Sequence, residues 1–95
     1  MKIVNHVSYI GGTEKVASVR PAHRAFMSKL GEQGRLVAAG PLADGSGAIF
    51  IYEADNLDAA EAIFAEDPYT LAGVVASHTM QAWEIVSVYP NLFRP

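Results

Sequence analysis

Apolar residues recur along this chain with a period of two in some stretches and of three to four in others, and the alternation of those periods predicts the fold. Residues 2–10 alternate weakly and are rich in Ile, Val and Tyr, which predicts a strand closed by Gly11-Gly12-Thr13. A linker follows. Pro21 suits the first turn of a helix that runs to Gly34, with Ser18 or Val19-Arg20 just outside it. On a helical wheel Ala22, Phe26 and Leu30 form the buried stripe, Arg24, Ser28 and Glu32 face water, and His23 sits on the stripe's edge beside Leu30. Residues 35–40 and 47–54 read as two strands of a hairpin, with Ala43-Asp44-Gly45-Ser46 as the turn between them. A second helix over residues 57–66, capped by Asp55 or Asn56, buries Ala60, Ile63 and Phe64. A short helical turn within residues 69–76 and a last strand over residues 78–88 complete the order β-α-β-β-α-β.

That order predicts an α+β, ferredoxin-like fold: a four-stranded antiparallel sheet with two helices on one face. The third strand places Ala48, Phe50 and Tyr52 on one side and Ile49 and Ile51 on the other. The last strand sets Met80, Ala82 and Val86 against Trp83 and Ile85. Both faces are largely apolar, while the helices can cover one. A second subunit over the open face, giving a dimeric α+β barrel, would resolve this, with Leu92 and Phe93 of the C-terminal tail either latching onto the partner or fraying.

Composition narrows the function. Ninety-five residues make one expected domain, 1–95, and 51% hydrophobic against 18% charged residues again favours a homodimer or higher homo-oligomer. With no Cys there is neither a disulfide framework nor a thiolate ligand or nucleophile. Net charge is −3 and the seven basic residues are scattered, which argues against nucleic acid as a partner. No apolar run is long enough to span a bilayer as a helix, and nothing resembles a secretory signal, so a cytoplasmic location is expected.

The charge that stands out is Asp67. It continues the Ile63–Phe64 stripe of the second helix, and Pro68 stops that helix immediately after it. A carboxylate at the edge of a core needs a partner. His23 is the candidate, since it joins an apolar helix face to the start of its helix. If the two helices lie side by side, Asp67 would fix the imidazole tautomer and the pair could move a proton. Two plainer roles stand beside this one: a structural tie between helices, or a cap on the turn that begins at Pro68. Arg20 is either a solvated charge or a clamp for a substrate oxygen, and Tyr69 either a core aromatic or a second contact to substrate. His6 and His78 read as packing residues. Gly40-Pro41 and Gly45-Ser46-Gly47 are turn chemistry, and no phosphate loop, dinucleotide fingerprint, HExxH or EF-hand pattern is present, so no cofactor is expected.

Three blocks carry a family resemblance: Arg20-Pro21-Ala22-His23, Gly34-Arg35-Leu36-Val37-Ala38-Ala39-Gly40-Pro41 and Asp67-Pro68-Tyr69-Thr70-Leu71-Ala72-Gly73-Val74. In order and spacing the chain resembles the YciI, or YCII-related, family over nearly its whole length. That resemblance implies a ferredoxin-like protomer dimerising into an α+β barrel, with His23 and Asp67 at the positions of the family's proposed active-site pair. It also implies a small-molecule substrate and, from one characterised type, dehydrochlorination of a chlorinated hydroxyhydroquinone in aromatic degradation; muconolactone isomerases share the barrel. The hairpin is shorter here than in members with an insertion after the Gly-Pro. A cofactor-independent lyase or isomerase is therefore the leading expectation. A non-catalytic binding or scaffold dimer is the alternative, and a cofactor-free monooxygenase on the same barrel is the third reading.

Overall fold

The computed structural model describes residues 1–95, the side chain of Thr13 excepted. Seven elements follow in order: β1 (Lys2–Tyr9), α1 (Thr13–Glu32), β2 (Leu36–Pro41), β3 (Gly47–Glu53), α2 (Leu57–Ala65), α3 (Pro68–Leu71) and β4 (Val75–Trp83). The strands form one antiparallel sheet in the order β2-β3-β1-β4, the ferredoxin-like arrangement expected. Pleating fixes which residues face the helices. Ile3 and Val7 of β1 pair with Tyr52 and Ala48 of β3 and with Ala82 and His78 of β4. Ile3, Val7, Ala48, Phe50 and Tyr52 thus form a buried floor on which Val16, Met27, Leu30, Ala60, Ile63 and Phe64 pack. Among the helices, none is long and apolar enough to cross a membrane.

Helix α1 departs from the sequence expectation in start and phase. It begins at Thr13, after Gly12 at φ 97°, and Pro21 lies inside it instead of opening it. The segment read as a linker is helical because Val16 and half-buried Val19 give it an apolar face of its own. The buried stripe runs Val16, His23, Met27, Leu30, whereas Ala22 is exposed and Phe26 only half-buried. His23 is consequently at the centre of the stripe, not on its edge. Pro21 has no N–H to give the carbonyl of Ala17, so packing outweighs a local penalty on the order of 3 kcal/mol.

Smaller corrections fall at the C-terminal end. The last strand runs from Val75 to Trp83, so Ile85 and Val86 are outside it and Val86 is exposed. The short helix is four residues long and starts at Pro68. Of the two cap candidates for α2, Asn56 takes the role, its Oδ1 accepting the N–H of Ala59 at 2.8 Å. The hairpin needs Gly47, since a Cβ there would lie 1.8 Å from the carbonyl oxygen of Val7. On the open face Val4, Ile49, Ile51 and Trp83 surround a shallow groove, interleaved with Lys2, His6, Thr79 and Gln81. That face is therefore less uniformly apolar than the two hydrophobic strands alone imply.

Two outcomes test this description. Pro21→Ala restores a helix bond, so the variant is expected to gain about 1 kcal/mol or more in denaturant unfolding; a loss would show that the helix is adapted to the ring. The second concerns Tyr52, a buried phenol that accepts a hydrogen bond from Asn5 Nδ2 at 3.3 Å. Burial pushes its ionisation well above the ordinary value of 10.0. The folded state thus favours the neutral phenol more than the unfolded chain does, and this contribution is whole below pH 10 and declines as pH rises beyond it. Urea titrations across that range should show Tyr52→Phe losing less stability with rising pH than wild type does.

Candidate functional site

Asp67 lies between α2 and α3 in extended conformation, φ −62° and ψ 131°, and is wholly buried. Its Oδ1 accepts two hydrogen bonds of 2.9 Å, one from the backbone N–H of Tyr69 and one from Nδ1 of His23. The cap and the imidazole partner are thus one atom doing both jobs. Oδ2 is also buried and takes no partner among the described residues. His23 reaches Asp67 from the middle of α1, because the stripe that carries it packs on α3; the contact does not need the start of that helix.

The imidazole is set in an aromatic frame. Its ring stacks on Tyr69 with centroids 3.9 Å apart at 14°, and Phe50 stands 5.2 Å away at 33°. With Nδ1–H donating to Asp67, the neutral ring carries its lone pair on Nε2. Nε2 has no protein partner among the described residues, yet it is not sealed in, since His23 lines a cleft of about 460 Å³. The cleft lies between α1 and the β2 edge of the sheet: Arg20, Arg24 and Met27 form one wall, Ala39 and Pro41 the other, and Phe50 the floor.

All four residues singled out in the sequence therefore gather here. Arg20 is exposed at the cleft mouth, and Tyr69 is 2% exposed and lines the interior. Sequence reasoning passed over three neighbours. Tyr9 is in phase with Ile3 and Val7 at the end of β1 and meets Tyr69 edge-on at 5.4 Å. Burial, then the adjacent Tyr69 hydroxyl, pushes the Tyr9 phenol up to about 12, which keeps it a neutral donor. Phe50 follows from the alternation of β3. Arg24 is exposed as the helical wheel indicates, but the face it shares with Arg20 borders the cleft instead of open solvent.

The other two histidines lie elsewhere. His6 is exposed on the open face, while half-buried His78 contacts both carboxylate oxygens of Glu61 at 3.0 and 3.1 Å and packs on Phe64. Among the described residues, no three His, Asp or Glu side chains gather as a metal site would require.

Comparison with known proteins places the chain. Protein YciI of Escherichia coli is 40% identical over 87 residues, covering 81% of each chain, and the Shigella flexneri protein of the same name matches equally. Among solved structures, the 5-chloro-2-hydroxyhydroquinone dehydrochlorinase TftG of Burkholderia phenoliruptrix, in complex with 2,5-dihydroxybenzoquinone, superposes with a TM-score of 0.77. The alignment covers 88% of this chain and 94% of that one at 23% identity. An antibiotic biosynthesis monooxygenase shares the fold at a TM-score of 0.61 and 16% identity, over 90% of this chain and 98% of its own. The YCII-related domain model matches residues 1–84, and the chain belongs to that family.

Proposed function

We propose that this chain is a cofactor-independent enzyme that moves a proton on a small cyclic or aromatic substrate, with His23 as the general acid–base and Asp67 as its positioning partner. One observation carries the reading: a buried carboxylate holds Nδ1 of a histidine that lines a cleft, and Nε2 is left without a protein partner among the described residues. The substrate proton passes to Nε2, and the imidazolium formed is stabilised by the Asp67 carboxylate 2.9 Å from its other nitrogen. Returning that proton to a second carbon completes an isomerisation. In a dehydrochlorination of a hydroxyhydroquinone, the proton taken from one ring hydroxyl is returned to the chlorine-bearing carbon. Chloride then departs with the electron pair of its bond as a second hydroxyl loses its proton to Nε2, a quinone remains, and His23 releases that proton to solvent. Neither route needs a further reactant. The aromatic and aliphatic side chains around the imidazole strengthen these charge interactions by excluding water, and Arg20 and Tyr69, which line the same cleft, serve as contacts to a substrate oxygen. Family membership and the likeness of fold to a dehydrochlorinase support this chemical class.

A second reading is favoured by the cap that Asp67 provides. Because Oδ1 also orders α3, His23–Asp67 would be retained in a non-catalytic binding or scaffold protein, purely as a tie between helices.

Chloride release from a chlorinated hydroxyhydroquinone separates the two. Wild type is expected to turn the substrate over, with a loss of about 100-fold or more in His23→Ala and an unchanged circular dichroism spectrum. Equal rates in the two proteins would remove His23 from the chemistry, and an inert wild type would remove the dehydrochlorinase assignment. The scaffold reading instead predicts that His23→Gln lowers the melting temperature and leaves every ligand affinity as it was.

We also propose a homodimer through the open sheet face, for which the Val4–Ile49–Ile51–Trp83 groove is the support. Sedimentation should give twice the protomer mass for wild type and a monomer for Ile49→Lys. A monomeric wild type at micromolar concentration would rule this interface out.

A further inference from the structure

The chain carries a net charge of −3, yet the mouth of its main cleft is cationic. Arg20 and Arg24 sit one turn apart on α1, both border the cleft, and neither pairs with a carboxylate among the described residues. Like charges at this spacing repel each other along a helix. An anion between them would cancel that repulsion and receive charge-assisted hydrogen bonds from both guanidinium groups. The proton-transfer reading does not use Arg24 at all, so its position calls for a separate account.

The cleft also continues past His23. A second lobe of about 310 Å³ opens between the Gly11-Gly12 turn and the β2–β3 hairpin, and it shares Tyr9, Arg20 and Pro41 with the first. The two lobes therefore meet at Arg20. At the far end stands Asp44, whose Oδ1 is held by the backbone N–H of Ser46 at 2.9 Å and by its hydroxyl at 2.6 Å. A substrate carboxylate pushed that far would face Asp44, so the favoured seat for an anion is on the first-lobe side of the junction, beside Arg20, which borders both lobes, and Arg24, which borders the first. The Tyr9 hydroxyl borders the same place and stays protonated, which adds a neutral donor for an oxyanion.

We infer that the preferred substrate is a two-part carboxylic acid, an unsaturated or aromatic ring lying against Phe50 beside Nε2 of His23 and an acid-bearing arm whose carboxylate is held between Arg20 and Arg24. This rests on the proton-transfer reading for what happens at the ring, but the charge selection stands on Arg20, Arg24 and the shape of the groove. Arg24 is then a specificity-determining residue. A ring without an acidic arm, a chlorinated hydroxyhydroquinone included, would still reach His23 in the first lobe but leave the cationic mouth unanswered, and is therefore the poorer substrate.

The probe pair is 4-hydroxyphenylacetate and its primary amide, which match in shape and differ in charge. Titration followed by NMR on the full chain should show the acid binding about tenfold tighter than the amide. That preference should weaken in Arg24→Gln, vanish in Arg20→Gln/Arg24→Gln, and shrink with added salt in wild type. His23→Gln is expected to keep the preference even as it abolishes turnover, so failure of the acid–base assignment and failure of this one leave different signatures. Melting temperatures confirm that the exposed arginine variants stay folded. Equal affinities for acid and amide, a preference that survives the double variant, or no saturable binding of the acid at millimolar concentration would each overturn the inference.

Discussion

A carboxylate without solvent governs the architecture of this protein. Asp67 is wholly buried, and of its two oxygens only Oδ1 is answered, by one backbone N–H and one imidazole nitrogen. No Lys or Arg comes within ion-pair distance of it among the described residues. Taking a charge from water with so few compensating contacts is costly, and stripping away a partner would leave it costlier. The surrounding parts can be understood as conditions for keeping it. Helix α1 must hold its stripe against α3, Pro68 must end the chain's helical run at that point, and Tyr69 must present both its N–H and its ring. One oxygen thus coordinates the placement of three elements.

Because the imidazole is also a core residue, its two ends live in different surroundings. The ring is stacked on Tyr69 and flanked by Phe50, and these contacts fix its plane as firmly as those of a buried aromatic. Nδ1 is committed to Asp67. Nε2 is left without a protein partner among the described residues, on a ring that lines the cleft. The ring is thereby held in one orientation by contacts on its faces and at one nitrogen.

Much of this was legible in the chain, for definite reasons. Element order follows from the change of hydrophobic period, and Asp67 declared itself by breaking an apolar stripe. His23 could be matched to it because few other ionisable groups sit on apolar faces. What failed was phase and extent. Pro21 looks like the first residue of a helix, and no local rule foretells that Val16 and Val19 will carry the helix two turns further back. That error rotated the stripe and put His23 on its edge. The last strand begins three residues earlier than its alternation indicates, since Val75-Ala76-Ser77 shows no alternation of its own and is drawn into the sheet by pairing with the end of β1. Tyr9 and Arg24 were missed because their importance comes from what lies across the cleft, which sequence spacing along a single element does not encode.

The two walls of the cleft differ in kind. One is a helix whose residues also hold up the core, so change there is felt by Asp67 and by the floor of the sheet. The other is an edge strand, β2, offering Ala39 and Pro41, small side chains on a segment hydrogen-bonded on one side only and already loosened by a bulge at Val37. A methyl or a ring added at Ala39 would reshape the cleft beside His23 while leaving the His23–Asp67 contact untouched. The fold therefore divides the cleft between a wall tied to the interior by the burial of His23 and Asp67 and a wall of exposed small residues on an edge strand, where the shape of the cleft can vary with less effect on the core.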